Sequence, residues 1–161
     1  MNMAYHADFH PAKFTKPVFS RASTRKHSKE KTRKPQILLV EDNPLIQKAE
    51  LFLFKKINCV VTVAGTGQEA LDAFHCHYDI IFLDIDLPDM SGIEVATSLR
   101  HQKLGAHKIP IIALTAHESD ITLACRAAGI NEVLPKPLTL QSLEAVLRRH
   151  IPHFSSLFSS F

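Results

Sequence analysis

The chain has 161 residues, 45% of them apolar, a length and composition that suit one globular domain with extra segments and exclude wholesale disorder. Its three cysteines, Cys59, Cys76 and Cys125, are scattered and form no C-x-x-C pair, which argues against a thiolate zinc or dithiol redox centre and fits a reducing compartment. The net charge of +3 is uneven: residues 1–35 hold nine Lys or Arg against Asp8 and Glu30, or +7, so the remainder carries −4.

Residues 1–35 show little periodicity and are rich in Ser, Thr, Lys, Arg and Pro, as expected of a mostly disordered basic arm. The segment 21–34 is a candidate for phosphate-type contacts with nucleic acid or an acidic partner, but no aromatic is interleaved for base stacking, and a solvated linker is the plainer reading. No continuous apolar stretch opens the chain, so neither a signal peptide nor a membrane span is expected; the reading is a soluble, cytoplasmic protein without a membrane partner.

From Gln36 the pattern changes, and residues 36–150 read as one domain. Five short apolar runs recur: Ile37 to Val40, Cys59 to Val63, Ile80 to Leu83, Ile109 to Leu114, and Val133-Leu134. Their length and bounding turn residues suit strands buried on both faces. Helical segments alternate with them. Asn43 and Pro44 open the first, whose Leu45, Ala49, Phe52 and Leu53 recur at the spacing of a sheet-facing stripe. Thr66 to His77 forms the second, with Ala70, Leu71 and Phe74 on one side, and Gly92 to Gln102 the third, with Val95, Ala96 and Leu99. Ser119 caps the fourth, which stops at Gly129, and Thr139 opens the fifth, with Leu140, Leu143 and Leu147. The alternation predicts an α/β fold, a doubly wound five-stranded parallel sheet.

In such sheets function gathers at the carboxyl ends of the strands. There the first strand ends in Glu41-Asp42, the third in Asp84 followed by Asp86, Leu87, Pro88 and Ser91-Gly92, the fourth in Thr115-Ala116, and the fifth in Lys136-Pro137. Clustered carboxylates repel, so they take up protons or hold a cation. Oxygen donors without Cys or His favour Mg²⁺ over zinc. Lys136 supplies a positive charge and Thr115 a hydroxyl for phosphoryl oxygens, and an aspartate nucleophile in this company forms an acyl phosphate.

These motifs, in this order and each closing a predicted strand, resemble the receiver domain of two-component response regulators over residues 36–150. The resemblance implies a flavodoxin-like (βα)5 receiver fold with Asp84 as phosphoacceptor. Glu41 and Asp42 would hold Mg²⁺ with Asp84 and the main-chain carbonyl of Asp86. Thr115 would swing towards the phosphoryl group, Lys136 would be its counter-ion, and the Lys136–Pro137 peptide would be cis. The donor would be a histidine kinase or a histidine phosphotransfer protein, and a downstream protein would meet the face of the fourth and fifth helices. Such a domain is a signalling phosphoacceptor rather than an enzyme. One departure is that Val133 stands where the family usually has an aromatic residue. That leaves the Thr115 segment and the fourth helix to carry a conformational response. His117, two beyond Thr115, falls where side chains of the family can line the path of attacking water.

Plainer readings accompany each residue. Glu41 and Asp42 could serve a helix dipole, Thr115 a strand-end cap, and His117 an exposed loop. Asp84-Ile85-Asp86 also resembles the opening of haloacid-dehalogenase-type phosphatases, with Asp84 as nucleophile and Asp86 as general acid/base. However, two strand–helix units precede it and Pro88 departs from that pattern. Residues 151–161 form a short tail with Phe154, Leu157, Phe158 and Phe161 at near-helical spacing. It is a candidate to pack on the domain or on a second copy in a homodimer. It is too short for an output domain, so the chain reads as a stand-alone receiver or a piece of a longer protein.

Overall fold

In the computed structural model, the described residues are 33–74, 77–102, 108–116, 121–152 and 154. The arm over residues 1–32, His117, Ser119 and the tail over 155–161 lie outside them.

The apolar runs form five parallel strands: β1 (Gln36–Val40), β2 (Val60–Ala64), β3 (Ile80–Asp84), β4 (Ile111–Thr115) and β5 (Glu132–Pro135). Their order across the sheet is β2-β1-β3-β4-β5, each neighbouring pair parallel. The alternating helices are α1 (Pro44–Lys56), α2 (Gly67–Ala73), α3 (Gly92–His101), α4 (Thr122–Ala127) and α5 (Leu140–His150). Strand side chains alternate between two cores. Leu38 and Val40 of β1 join Ala70, Val95, Leu99 and Cys125 from α2, α3 and α4. Ile37 and Leu39 join Phe54 of α1, Leu143, Val146 and Leu147 of α5, and Phe154 beyond it. Both central strands β3 and β4 are buried throughout, so each large side chain there stabilises the sheet by about 1.5–3 kcal/mol.

Local chemistry sets the helix ends. Asn43 Oδ1 accepts from the N–H groups of Leu45 and Ile46, and Asn58, with φ of 58°, turns the chain out of α1. Ser91 and Glu94 form a capping box on α3, and Thr139 with Ser142 does so on α5. Gly129, at φ of 80°, stops α4. At the opposite end of the sheet from the strand termini that carry the acidic motifs, Arg33 donates to both oxygens of Asp79 at 2.7 and 2.6 Å. This pair ties the chain to the sheet just ahead of β1.

Four expectations change. β2 is an edge strand, so Val60 and Val63 remain exposed rather than buried on both faces. The second helix ends at Ala73, not His77: Phe74 turns extended and drops into the core, while Tyr78 donates its hydroxyl to the Ala73 carbonyl. The fourth helix begins at Thr122 after Ile121, with no side-chain cap bond among the described residues. In α1 the inward stripe is rotated from the expected one. Leu45, Ala49 and Phe52 face outward, and the buried residues are Glu50 and Phe54.

Glu50 therefore sits in an apolar face, where burial chiefly pushes its carboxyl up from 4.5 to about 7. The folded chain then keeps this proton to a higher pH than the unfolded chain. The stability it contributes is complete below about pH 4.5 and is lost as pH rises through about 7. Replacing Glu50 by Leu is expected to raise the unfolding free energy by about 1–3 kcal/mol near pH 8, with a smaller gain near pH 5, as read by urea denaturation. Equal effects at both pH values would contradict this.

Candidate functional site

The strand order reverses around β1, since the chain passes from β1 out to β2 and returns to β3 on the other side. That reversal opens a crevice at the carboxyl ends of β1 and β3. Into it the chain delivers Glu41 and Asp42 from the β1 end and Asp84 from the β3 end. One carboxylate oxygen from each lies within 4.8 Å of the others. Glu41 and Asp84 are buried, whereas Asp42 is exposed at the mouth.

Lys136 enters from the end of β5. Its Nζ lies 2.6 Å from Glu41 Oε2 and 2.7 Å from Asp84 Oδ2. Burial works against the ammonium charge, but hydrogen bonds and attraction from Asp84 and Glu41 outweigh it and hold Lys136 above its ordinary value. The Lys136–Pro137 peptide is cis. Thr115 closes β4 as a buried residue, and its carbonyl accepts from the Lys136 N–H at 2.8 Å, so β4 and the lysine loop are joined.

Further hydrogen bonds hold the carboxylates in place. Glu41 Oε1 accepts from the Asn43 N–H at 3.1 Å, and Asp84 Oδ1 accepts from the Asp86 N–H at 3.2 Å. Asp86 pairs with Ser91 in a short antiparallel bridge, and the Gly92 N–H donates to the Ile85 carbonyl. A Cβ at Gly92 would strike the Asp84 carbonyl, so only glycine lets α3 start this close to the acidic residue. From α1, Gln47 donates its side-chain amide to the Glu41 carbonyl at 2.6 Å.

The six sequence-predicted residues thus occupy one edge of the sheet: Glu41, Asp42 and Asp84 as a cluster, Lys136 bonded to two of them, and Thr115 and Asp86 alongside. Chemically, the cluster is, among the described residues, a set of hard oxygen donors with one amine and no sulfur or imidazole, which fits Mg²⁺ better than a softer metal. Sequence reasoning missed two positions. Gln47 carries no signal in sequence, because its role depends on a main-chain carbonyl brought near by the β1–α1 turn. Glu50 carries no clear signal either, because apolar residues surround α1 and periodicity does not single out the face that packing buries.

Comparison with known proteins decides the family. Residues 37–148 match the response regulator receiver domain. The chain belongs to that family. It is 32% identical over 148 residues to the transcription factor SKN7 of Chaetomium thermophilum and 35% identical over 114 residues to the aerobic respiration control sensor protein ArcB of Escherichia coli. These alignments cover 89% and 70% of this chain but only 18% and 15% of those relatives. Among solved structures, the receiver domain of a Pseudomonas aeruginosa sensor histidine kinase is 32% identical with a TM-score of 0.68, over 74% of this chain and 99% of that one. That structure has a magnesium ion coordinated in its active-site cleft. A Saccharomyces cerevisiae receiver domain, of the response regulator Ssk1, solved in complex with the histidine phosphotransfer protein Ypd1, is 27% identical with a TM-score of 0.65, over 80% and 94%.

The protein is thus a receiver domain with a flavodoxin-like fold, and Glu41, Asp42 and Asp84 form the acidic cluster at its phosphoacceptor site. Receiver domains are typically non-catalytic phosphoacceptors in two-component or phosphorelay signalling, which sets aside the haloacid-dehalogenase alternative. No helix among the described residues is long and apolar enough to cross a membrane.

Because Lys136 is the amine that separates two nearly buried carboxylates, Lys136→Ala is expected to destabilise this receiver domain by about 3 kcal/mol in urea unfolding near pH 7.5. Adding Glu41→Gln should restore part of that loss, since it removes one uncompensated charge. Strictly additive losses would contradict the electrostatic role.

Proposed function

We propose that Asp84 takes a phosphoryl group from a phosphohistidine on a histidine kinase or histidine phosphotransfer protein. The observation that carries this reading is the Lys136 amine lying within 2.7 Å of Asp84 in a cleft that also gathers Glu41 and Asp42. In the transfer, an Asp84 carboxylate oxygen attacks phosphorus, the P–N bond to the imidazole breaks, and the imidazole leaves with its electron pair. Lys136 faces the negative charge of the phosphoryl oxygens, and Thr115 supplies a hydroxyl to one of them.

Glu41, Asp42, Asp84 and the Asp86 main-chain carbonyl are the groups that would hold Mg²⁺, which when bound neutralises charge on the phosphoryl oxygens. The mouth of the cleft is open to a macromolecular donor. Leu45, 75% exposed at the start of α1, offers an apolar contact beside it. The family likeness to a receiver captured with Ypd1 supports the same class of donor.

The response would travel through the Thr115 segment and α4 to a downstream protein on the α4 and α5 face. Val133 replaces the usual aromatic residue and lines a cleft of about 410 Å³ with Cys125, Arg126 and Ile130, which gives α4 room to shift. A cytoplasmic setting follows from the chemistry of such donors.

Intact mass after incubation with acetyl phosphate tests the acceptor. The expected result is one phosphoryl adduct that needs Mg²⁺ and disappears in Asp84→Asn. An adduct that persists in Asp84→Asn would overturn the assignment.

A further inference from the structure

Glu50 is buried at 3% exposure, one turn before Phe54, on the face of α1 that enters the core shared with α5. Neither carboxyl oxygen has a hydrogen-bond partner among the described residues. Buried carboxyl groups are normally hydrogen-bonded, and an ionised one without donors is strongly disfavoured, so this position calls for the neutral acid.

Gln47, three residues before Glu50 on the same inward side of α1, donates to the Glu41 carbonyl at 2.6 Å, so this side of the helix lies against the acceptor cleft, and the charged groups that reach Glu50 belong to it. Burial raises its carboxyl most, to about 7, the charge of Glu41 raises it further, Lys136 opposes, and Asp84 adds to the rise. Among the described residues, the other elements on this side of the sheet give the core apolar groups, Ile112 and Leu114 of β4 and Leu143, Val146 and Leu147 of α5. Glu50 is not among the carboxylates gathered within 4.8 Å, and it bonds to none of them. Its influence on the cleft therefore acts through space.

We propose that Glu50 tunes the acceptor cleft electrostatically: it holds a proton while the cleft lacks a divalent cation and releases it to solvent when the cation enters. Two positive charges beside Glu41 and Asp84 favour an ionised Glu50, and by reciprocity an ionised Glu50 favours the cation. Affinity for the cation then rises with pH through a side chain that does not touch the ion. This inference rests on the reading of the cleft as a Mg²⁺-dependent acceptor site. It gives α1 a second task besides packing, since the same helix presents Leu45 beside the cleft.

The test follows the side-chain carboxyl signals of Glu50, Asp42 and Asp84 by carbon NMR across pH, with and without saturating Mg²⁺. Glu50 is expected to titrate near neutrality without cation and at lower pH with it. Between about pH 6 and 8, Mg²⁺ affinity is expected to rise about five-fold more in the parent than in Glu50→Gln, a neutral side chain of the same shape. If Mg²⁺ shifts Asp42 and Asp84 while the Glu50 titration stays put, this inference falls and the acceptor reading stands. If Mg²⁺ leaves Asp42 and Asp84 unmoved, both fall.

Discussion

Two carboxylates that almost never meet solvent, Glu41 and Asp84, share one amine, the Nζ of Lys136, at 2.6 and 2.7 Å. Neither carboxylate would be tolerated there as an isolated charge, because removing it from water costs several kcal/mol that only a close partner offsets. The rest of the architecture serves to bring these groups to one point. β1 and β3 are neighbours that put Glu41 and Asp84 on adjacent strand ends, and β5 sends Lys136 across β4 to reach them. Three acidic side chains face one amine, so the cleft is richer in carboxyl groups than a balanced ion pair, and that excess suits a cation.

Around this centre the backbone is clamped from several directions. Asn43 and Gln47 hold the Glu41 side chain and carbonyl, the Asp86–Ser91 bridge closes the loop after Asp84, and Gly92 lets α3 begin against it. Each clamp is a main-chain or short polar contact, so the site is set mostly by loops anchored on buried strands. A preorganised cleft of this kind needs little movement to accept its ligand. On the proposed reading the conformational response falls to the β4–α4 side, where Val133 lines a cleft with Cys125 and Ile130.

Much of this was legible in the sequence, and the reason differs by element. Strands β3 and β4 announce themselves because residues such as Ile80 to Leu83 are apolar without interruption, and the residue that ends each run is forced to the sheet edge. Asp84, Thr115 and Lys136 are legible because each stands at or just past the end of such a run. The orientation of α1 was not legible. Leu45, Phe52, Leu53 and Phe54 surround the helix with apolar groups, so periodicity alone admits more than one inward face, and tertiary packing chose the one that includes Glu50. The early end of α2 depends on Phe74 finding the core and Tyr78 meeting the Ala73 carbonyl, neither of which helical periodicity reports.

If Glu41, Asp42, Asp84 and Lys136 form one cation-dependent phosphoryl site, a crystal structure grown with Mn²⁺ and beryllofluoride, a stable mimic of the phosphoryl group, will capture it. The expected map has an anomalous peak among Glu41, Asp42, Asp84 and the Asp86 carbonyl, beryllium bonded to an Asp84 oxygen, and Lys136 turned to a fluoride. Manganese bound elsewhere, or Lys136 still bridging Glu41 and an unmodified Asp84, would contradict it.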